Sequence, residues 1–389
     1  MRERIYLDQA ATSWPKPESV YLAIDGYQRM FGAAAGRGAY TDAVEVSRRV
    51  ERARAAIARL LNAEGARQIV FAFNGTDALN TAIHGVLAEG GHAITTVADH
   101  NSVLRPLRLL EKAGSVEVTR VGCDARGVID PDDVRRALRR DTKLIAMTHA
   151  SNVTGALQPA RAVGEIAKQA DVLFLLDAAQ TAGELPIDVR AMHVDLLATP
   201  GHKGLLGPLG TGVLYLRPGI EPRVASFRQG GTGTFSEDDA QPETLPDKYE
   251  AGNLNVPGIL GLGAAVEWLL ARGIDAIRGE TVSLTERLLE RLHGIASLTI
   301  YGPSAACERV GLVSFNAPGI DAQEFAGILD SSYGIQVRAG LHCSPLMHAA
   351  LGTLPHGGAV RLSHGPFNTP AHLDLAAAAI AETVAQIGS

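Results

Sequence analysis

Cysteine is scarce in this 389-residue chain: Cys123, Cys307 and Cys343 are all there are, an odd, sparse set that argues against a disulfide framework and suits a reducing compartment. There is no CxxC or HExxH pattern, so a structural zinc site lacks its usual ligand spacing, and we expect no metal. No apolar run approaches the roughly 18 residues of a membrane-crossing helix. The opening Met-Arg-Glu-Arg-Ile-Tyr-Leu-Asp has no apolar centre of a signal peptide, so a soluble cytoplasmic protein without membrane contact is expected. Basic charge is also short: 36 Lys and Arg against 42 Asp and Glu leave a net charge of −6, with no Lys/Arg block that could track phosphates. Nucleic acid is therefore excluded as the main ligand.

What is present is ordinary globular material, 46% hydrophobic and 20% charged, enough to bury a large core. Such a length predicts two or three domains or one large α/β core. From about Ala53 to Val213, amphipathic stretches alternate with short apolar runs at 69–73, 93–97, 143–147, 172–176, 195–198 and 213–216. That rhythm predicts βαβ units on a mostly parallel sheet, whose ligands sit beyond the carboxyl ends of the strands. Between Arg217 and Gly258 the composition turns to Gly, Pro, Thr and acidic residues, which reads as a long functional loop. After Pro257 a helical pattern returns, and short strands such as Leu312-Val313-Ser314-Phe315 suggest a second, smaller α+β domain.

Five strand ends carry chemistry. Asn74-Gly75-Thr76-Asp77 opens a helix, where free N–H groups, the close approach Gly75 allows and the Thr76 hydroxyl make a phosphate seat; alone it is equally a plain N-cap. Asp177 closes an apolar run, where a carboxylate can keep the ring nitrogen of pyridoxal phosphate (PLP) protonated or simply cap a strand. Gly201-His202-Lys203-Gly204 places a lysine between a sheet edge and flexible glycines, the setting of a Schiff-base amine. His100 and Asn152 each follow a strand-like run, where an imidazole can stack on a cofactor ring and an amide can meet its hydroxyl or steer substrate; surface and turn roles compete. Together these signals indicate a PLP pocket at one sheet edge. Downstream, Leu341-His342-Cys343-Ser344-Pro345 sets a thiol beside a histidine in a loop, a candidate nucleophile. Cys123 and Cys307 lack that context and read as structural. Arg361 could bind a carboxylate bidentately, or be a solvated surface side chain.

From Tyr6-Leu7-Asp8-Gln9-Ala10-Ala11-Thr12 to Phe367-Asn368-Thr369, the chain resembles the class V aminotransferase-fold PLP enzymes, specifically the SufS-like cysteine desulfurases and selenocysteine lyases. The resemblance implies fold type I, an α/β large domain over residues 15–256 and a small domain of 1–14 plus 257–389. It implies a homodimer with shared active sites, the segment from Gly230 to Asn255 reaching toward the neighbouring site. By matched motif, Lys203 would bind the cofactor aldehyde, His100 would stack on the ring, Asp177 would pair with the pyridine nitrogen, and Gln180 would touch the ring hydroxyl. Gly75, Thr76 and His202 would hold phosphate. Arg361 and Asn152 would hold the substrate carboxylate with Arg338 at its entrance. Cys343 would take sulfur from L-cysteine as a persulfide, leaving alanine and passing the sulfur to an acceptor protein.

Several positions depart from that pattern. Pro200 stands where the family often has a phosphate-binding Ser, leaving Thr199 as a possible substitute. Asn253 matches a cross-subunit phosphate Thr, Tyr40 replaces a His in Arg37-Gly38-Ala39-Tyr40, and paired histidines become His100-Asn101 and Leu341-His342. Selenocysteine lyase is the near alternative, a PLP aminotransferase or epimerase the next, and a non-catalytic PLP-fold adaptor the alternative from another class.

Overall fold

The computed structural model describes residues 4–36, 38–234 and 237–387. Arg37 of the Arg37-Gly38-Ala39-Tyr40 pattern, and two residues of the expected cross-subunit segment, Phe235 and Ser236, lie outside it. In chain order the elements begin β1 (Ile5–Tyr6), α1 (Glu18–Met30), α2 (Thr41–Leu60), β2 (Ile69–Ala72), α3 (Gly75–Val86), β3 (Gly91–Thr96) and α4 (Asn101–Lys112). There follow β4 (Val116–Val121), α5 (Pro131–Ala137), β5 (Thr142–Thr148), α6 (Ala160–Gln169), β6 (Leu173–Asp177), β7 (Leu196–Pro200) and β8 (Gly212–Leu216).

Strands β2 to β8 form one seven-stranded sheet in the order β2-β8-β7-β6-β5-β3-β4. All neighbouring pairs are parallel except those made by β8, which runs antiparallel to β2 and β7. Every residue of β6, β7 and β8 is buried, as expected for strands covered on both faces. β4 is the element the apolar runs did not reveal. It is an edge strand whose middle residues, Glu117 to Arg120, are exposed or half-buried, so burial never forces a continuous apolar stretch. Because β2, β3, β5, β6 and β7 point the same way, their carboxyl ends share one edge, and Gly75, His100, Asn152, Asp177 and Lys203 all follow or end those strands there.

The chain then runs irregularly, apart from a short 3₁₀ turn at Glu221–Arg223, to α7 (Val256–Arg272). This stretch is pinned by buried polar groups. Glu250 receives Arg54 Nη1 and Nη2 at 2.7 and 3.0 Å and the Phe71 amide at 2.6 Å, and Tyr249 donates its hydroxyl to the Val224 carbonyl.

The remaining elements are α8 (Ile274–His293), β9 (Thr299–Tyr301), β10 (Leu312–Asn316), α9 (Ala322–Tyr333), β11 (Ile335–Gln336), β12 (Arg338–Gly340), α10 (Pro345–Ala350), β13 (Ala359–Ser363) and α11 (Pro370–Ile387). They build a four-stranded antiparallel sheet, β12-β13-β10-β9, covered by α8, α9 and α11, with Leu7, Phe315, Phe325 and Leu362 in its core. β1 pairs in parallel with β11 and so ties the N-terminal segment to this body.

The division expected between residues 256 and 257 does not match the packing. Ile259, Leu262, Val266 and Leu269 of α7 lie in the same core as Ile57, Phe71 and Val213, and α7 packs on α1 and α2. A Cβ at Gly263 would come within 2.6 Å of Ala53 Cβ, so the two helices approach too closely for a side chain. α7 therefore packs with the large core, and α8 joins the two, with Ile277 in that core and Leu288, Leu289 and Leu292 in the small one. Among the described residues no helix is long and apolar enough to cross a membrane.

Glu250→Gln should leave the buried Arg54 guanidinium with only the exposed Glu51 carboxylate, 3.0 Å from Nε. We expect a loss of about 3–5 kcal/mol in urea unfolding and faster proteolysis between Arg217 and Asn255.

Candidate active site

A cavity of about 230 Å³ opens at the shared strand edge, closed from the far side by β12, β13 and the turn before α10. It is lined by Gly75, Thr76, His100, Asn152, Asp177, Gln180, His202, Lys203, Arg338, Cys343 and Arg361, every expected site residue except Asn253.

One wall is the start of α3. Asn74 caps the helix by accepting the Asp77 amide at 2.8 Å, while the Gly75 and Thr76 amides have no intrahelical acceptor. Helix-start amides and dipole make this a place for an anion. A Cβ on Gly75 would lie 2.9 Å from Pro200 Cδ, so Pro200, which has no N–H to donate, forms the floor against which the helix start rests. Thr199 does not replace the missing donor. It is absent from the cavity lining, and its hydroxyl sits 3.4 Å from the carbonyls of Ala178 and Pro200. The hydroxyls at the seat are instead Thr76 and Ser102, whose oxygens are 2.7 Å apart.

The floor is formed by β6 and β7. Asp177 is buried at the end of β6, held by the Ala179 amide at 2.9 Å, and burial pushes its carboxyl up from the ordinary value while the Ala179 amide and Lys203 oppose that shift. Lys203 follows β7. Burial lowers its amine to about 8, Asp177 pulls the other way, and Arg361 and Arg338 lower it further. The turn carrying it is clamped from outside by the N-terminal segment: the His202 carbonyl accepts the Ser13 amide at 2.8 Å and Lys16 Nζ at 3.1 Å. His202 is likewise lowered to about 4 by burial and the neighbouring Lys203 and Lys16, and its buried Nδ1 has no partner among the described residues.

His100 caps α4. Its Nδ1 accepts the Ser102 amide at 3.0 Å, and burial lowers its pKa to about 4, with further lowering by Lys203 and the arginines, so the ring is neutral with its hydrogen on Nε2. The turn before α4 is held by Asp99, which accepts from Thr95 Oγ1, Thr96 N and Oγ1, and Thr148 N, all within 2.9 Å.

The small body contributes the arginines and the thiol. Arg338 and Arg361 face each other across β12 and β13. Their present partners differ. Arg361 donates to Asp8 Oδ1 at 2.9 Å and to the Asn152 carbonyl at 3.0 Å, and its buried Nε has no partner among the described residues. Among the described residues Arg338 makes no ion pair or side-chain hydrogen bond, so its planar fork is open to a carboxylate. The Asn152 side chain is engaged too. Its Nδ2 donates to the His342 carbonyl at 2.6 Å and its Oδ1 accepts the Ser344 hydroxyl at 2.6 Å, so it grips the residues on both sides of Cys343. His342 and Cys343 have φ of 48° and 58°, left-handed backbone that non-glycine residues adopt at a cost of about 1–2 kcal/mol each. Cys343 is exposed at the mouth of the cavity, and its carbonyl accepts the Asn101 amide at 2.8 Å. Ser102, Asp8 and Lys16 were not singled out in the sequence, because each becomes significant only through a partner distant along the chain.

Asn253 is not brought to this cavity. It lines a separate hollow with Phe73, Gly210 and Arg228.

In chemical terms the cavity offers a near-neutral amine, a buried carboxylate suited to a protonated ring nitrogen, an anion seat, a free guanidinium and a reachable thiol. The model of the class-V aminotransferases matches residues 5–375. The chain is 36% identical over 394 residues to a probable cysteine desulfurase of Methanothermobacter thermautotrophicus, covering 100% of this chain and 95% of the relative. It is 33% identical over 356 residues to a cysteine desulfurase of Yersinia pseudotuberculosis, covering 88% and 85%. The apo structure of cysteine desulfurase from Thermococcus onnurineus superposes with a TM-score of 0.91 at 30% identity, covering 98% of this chain and 95% of that one.

Asn152→Ala should release the turn. Alkylation of Cys343 by iodoacetamide is expected to speed up, and stability to fall by about 1–3 kcal/mol, the cost of leaving its buried partners unsatisfied.

Proposed function

The chain belongs to the class-V aminotransferase family, and on that premise we propose that it is a PLP-dependent cysteine desulfurase, converting L-cysteine to L-alanine with the sulfur held as a persulfide on Cys343. The observation that carries this reading is that Lys203, Asp177 and Cys343, supplied by two bodies, line one cavity. An aminotransferase or epimerase has no use for the thiol.

The residues fit PLP. The α3 start, Thr76 and the unpartnered His202 Nδ1 suit its phosphate, buried Asp177 its ring nitrogen, and Lys203 its aldehyde. When bound, the cofactor supplies an aldehyde for the substrate amine and a ring that takes up the electron pair left at Cα. Lys203 would hold the cofactor aldehyde through Nζ, and as a free amine that atom would accept the proton from the substrate Cα. Asp177 would keep the ring nitrogen protonated. His100, neutral and carrying its hydrogen on Nε2, would lie against the ring. Arg338 binds the substrate carboxylate, and Arg361, braced by Asp8, holds Asn152 and the Cys343 turn in place. The Cys343 Sγ forms a bond to the substrate sulfur as that sulfur's bond to carbon breaks. The three-carbon remainder takes up protons and leaves as alanine, and the enzyme retains Cys–S–SH. The exposure of Cys343 at the cavity mouth lets an acceptor protein's thiol reach the persulfide. Asn253, remote from the cavity of its own chain, is assigned to the phosphate in a second copy's site, which makes the working enzyme a homodimer.

Cys343→Ser should abolish sulfide release from L-cysteine, measured with dithiothreitol as acceptor, while PLP absorbance in the protein is retained. Unchanged turnover excludes the thiol mechanism. Activity of the same variant kept on selenocysteine alone identifies a selenocysteine lyase.

The lowered amine of Lys203 also sets a pH dependence. Below about 8 most of the amine is protonated and unreactive, so the rate of PLP uptake should rise about tenfold per pH unit and level off above that value. Asp177→Asn removes the charge that favours the ammonium form and should move the plateau to lower pH. Stopped-flow absorbance reads both.

A further inference from the structure

The first turn of α4 is wired to three parts of the cavity. The Asn101 amide holds the Cys343 carbonyl, the Ser102 amide holds His100 Nδ1, and Ser102 Oγ lies 2.9 Å from His100 Nδ1 and 2.7 Å from Thr76 Oγ1. The hydrogens can be placed from these contacts. A backbone amide only donates, so the Nδ1 it meets carries no hydrogen and can only accept. The Ser102 hydroxyl beside that atom must then donate to it, which leaves the Thr76 hydroxyl to donate to Ser102 Oγ. The chain runs Thr76 to Ser102 to His100.

Thr76 is also a member of the anion seat. An anion oxygen bound there requires donors, and the Thr76 hydroxyl can serve it only by turning away from Ser102. Once it turns, Thr76 Oγ1 is left with lone pairs toward Ser102, and the Ser102 hydroxyl can swing from His100 Nδ1 to Thr76 Oγ1. No proton changes owner; two hydroxyls rotate.

We propose that Ser102 is a positioning residue that reports occupancy of the anion seat to His100, by transferring its hydroxyl hydrogen bond from His100 Nδ1 to Thr76 Oγ1 when phosphate is bound. His100 then keeps the amide contact alone, and its ring acts through an Nδ1 with one donor fewer. The ligand class is an organic phosphate, and the inference rests on the PLP reading above.

The test compares protein loaded with PLP against protein loaded with pyridoxal, which has the aldehyde and ring but no phosphate. With ¹⁵N-labelled histidine, the His100 Nδ1 resonance of the native chain should differ between the two forms. The difference should vanish in Ser102→Ala, return in Ser102→Thr, and vanish in Thr76→Val, which cuts the chain at its other end and serves if the first variant does not fold. The PLP-to-pyridoxal affinity ratio, measured by quenching of protein fluorescence, should fall about three- to tenfold in Ser102→Ala, the worth of a hydrogen bond. A His100 shift that persists in Ser102→Ala overturns the proposal. Equal weakening of both ligands also overturns it, because Ser102 is then only a helix-start residue. A lowered ratio with no His100 shift in the native chain does so as well, because Ser102 then binds phosphate directly. Borohydride reduction followed by peptide mass analysis separates this from the cofactor reading: native protein that traps no PLP on Lys203 ends both, whereas trapping with any of the overturning outcomes ends the Ser102 proposal alone.

Discussion

An ammonium group at the end of a buried parallel sheet is held in surroundings that disfavour its charge, and much of the cavity follows from that. Burial lowers Lys203 toward neutrality, and Asp177 on the adjacent strand limits the fall while its own carboxyl is raised. The two groups are neighbours because β6 and β7 pair in parallel and end at the same edge. The same desolvation keeps His100 and His202 uncharged, so the cationic groups left facing the cavity are the amine and the arginines. A site of this kind is electrically matched to a ligand carrying phosphate at one end and carboxylate at the other.

Against that fixed floor, the thiol is held by a different device. The turn at His342 and Cys343 adopts a backbone that L-residues avoid, and it persists because Asn152, Asn101 and the Ser344 amide bound to Leu341 over-determine it. Asn152 belongs to the loop after β5, so the large body shapes the strained turn of the small one. Its carbonyl is braced by Arg361, and Arg361 in turn by Asp8 from the N-terminal segment. The Cys343 turn, Asn152, Arg361 and the N-terminal segment therefore form one hydrogen-bonded unit.

Much of this was legible from residue order. The six apolar runs correspond to β2, β3, β5, β6, β7 and β8, since strands covered on both faces must be continuously apolar. β4 escaped because an edge strand needs no such run, and α7 was assigned to the wrong body because an apolar helix carries no sign of which core receives it. Within the cavity, residues that sit directly after a strand were readable from that position. Ser102, Asp8 and Lys16 were not, as their partners lie far away in the chain. Thr199 looked available as a hydroxyl beside Pro200, but the strand points it at backbone carbonyls instead.

The sequence by itself determined the alternation of strands and helices, the shared edge on which Gly75, His100, Asn152, Asp177 and Lys203 fall, and the presence of a thiol in a polar loop, because hydrophobic period and strand direction are local properties. Only the tertiary structure decided which arginine is free, that Asn152 grips the thiol turn, and which nitrogen of His100 bears the hydrogen. Those depend on which donors and acceptors meet after folding, and pairing between distant segments is not written in local composition.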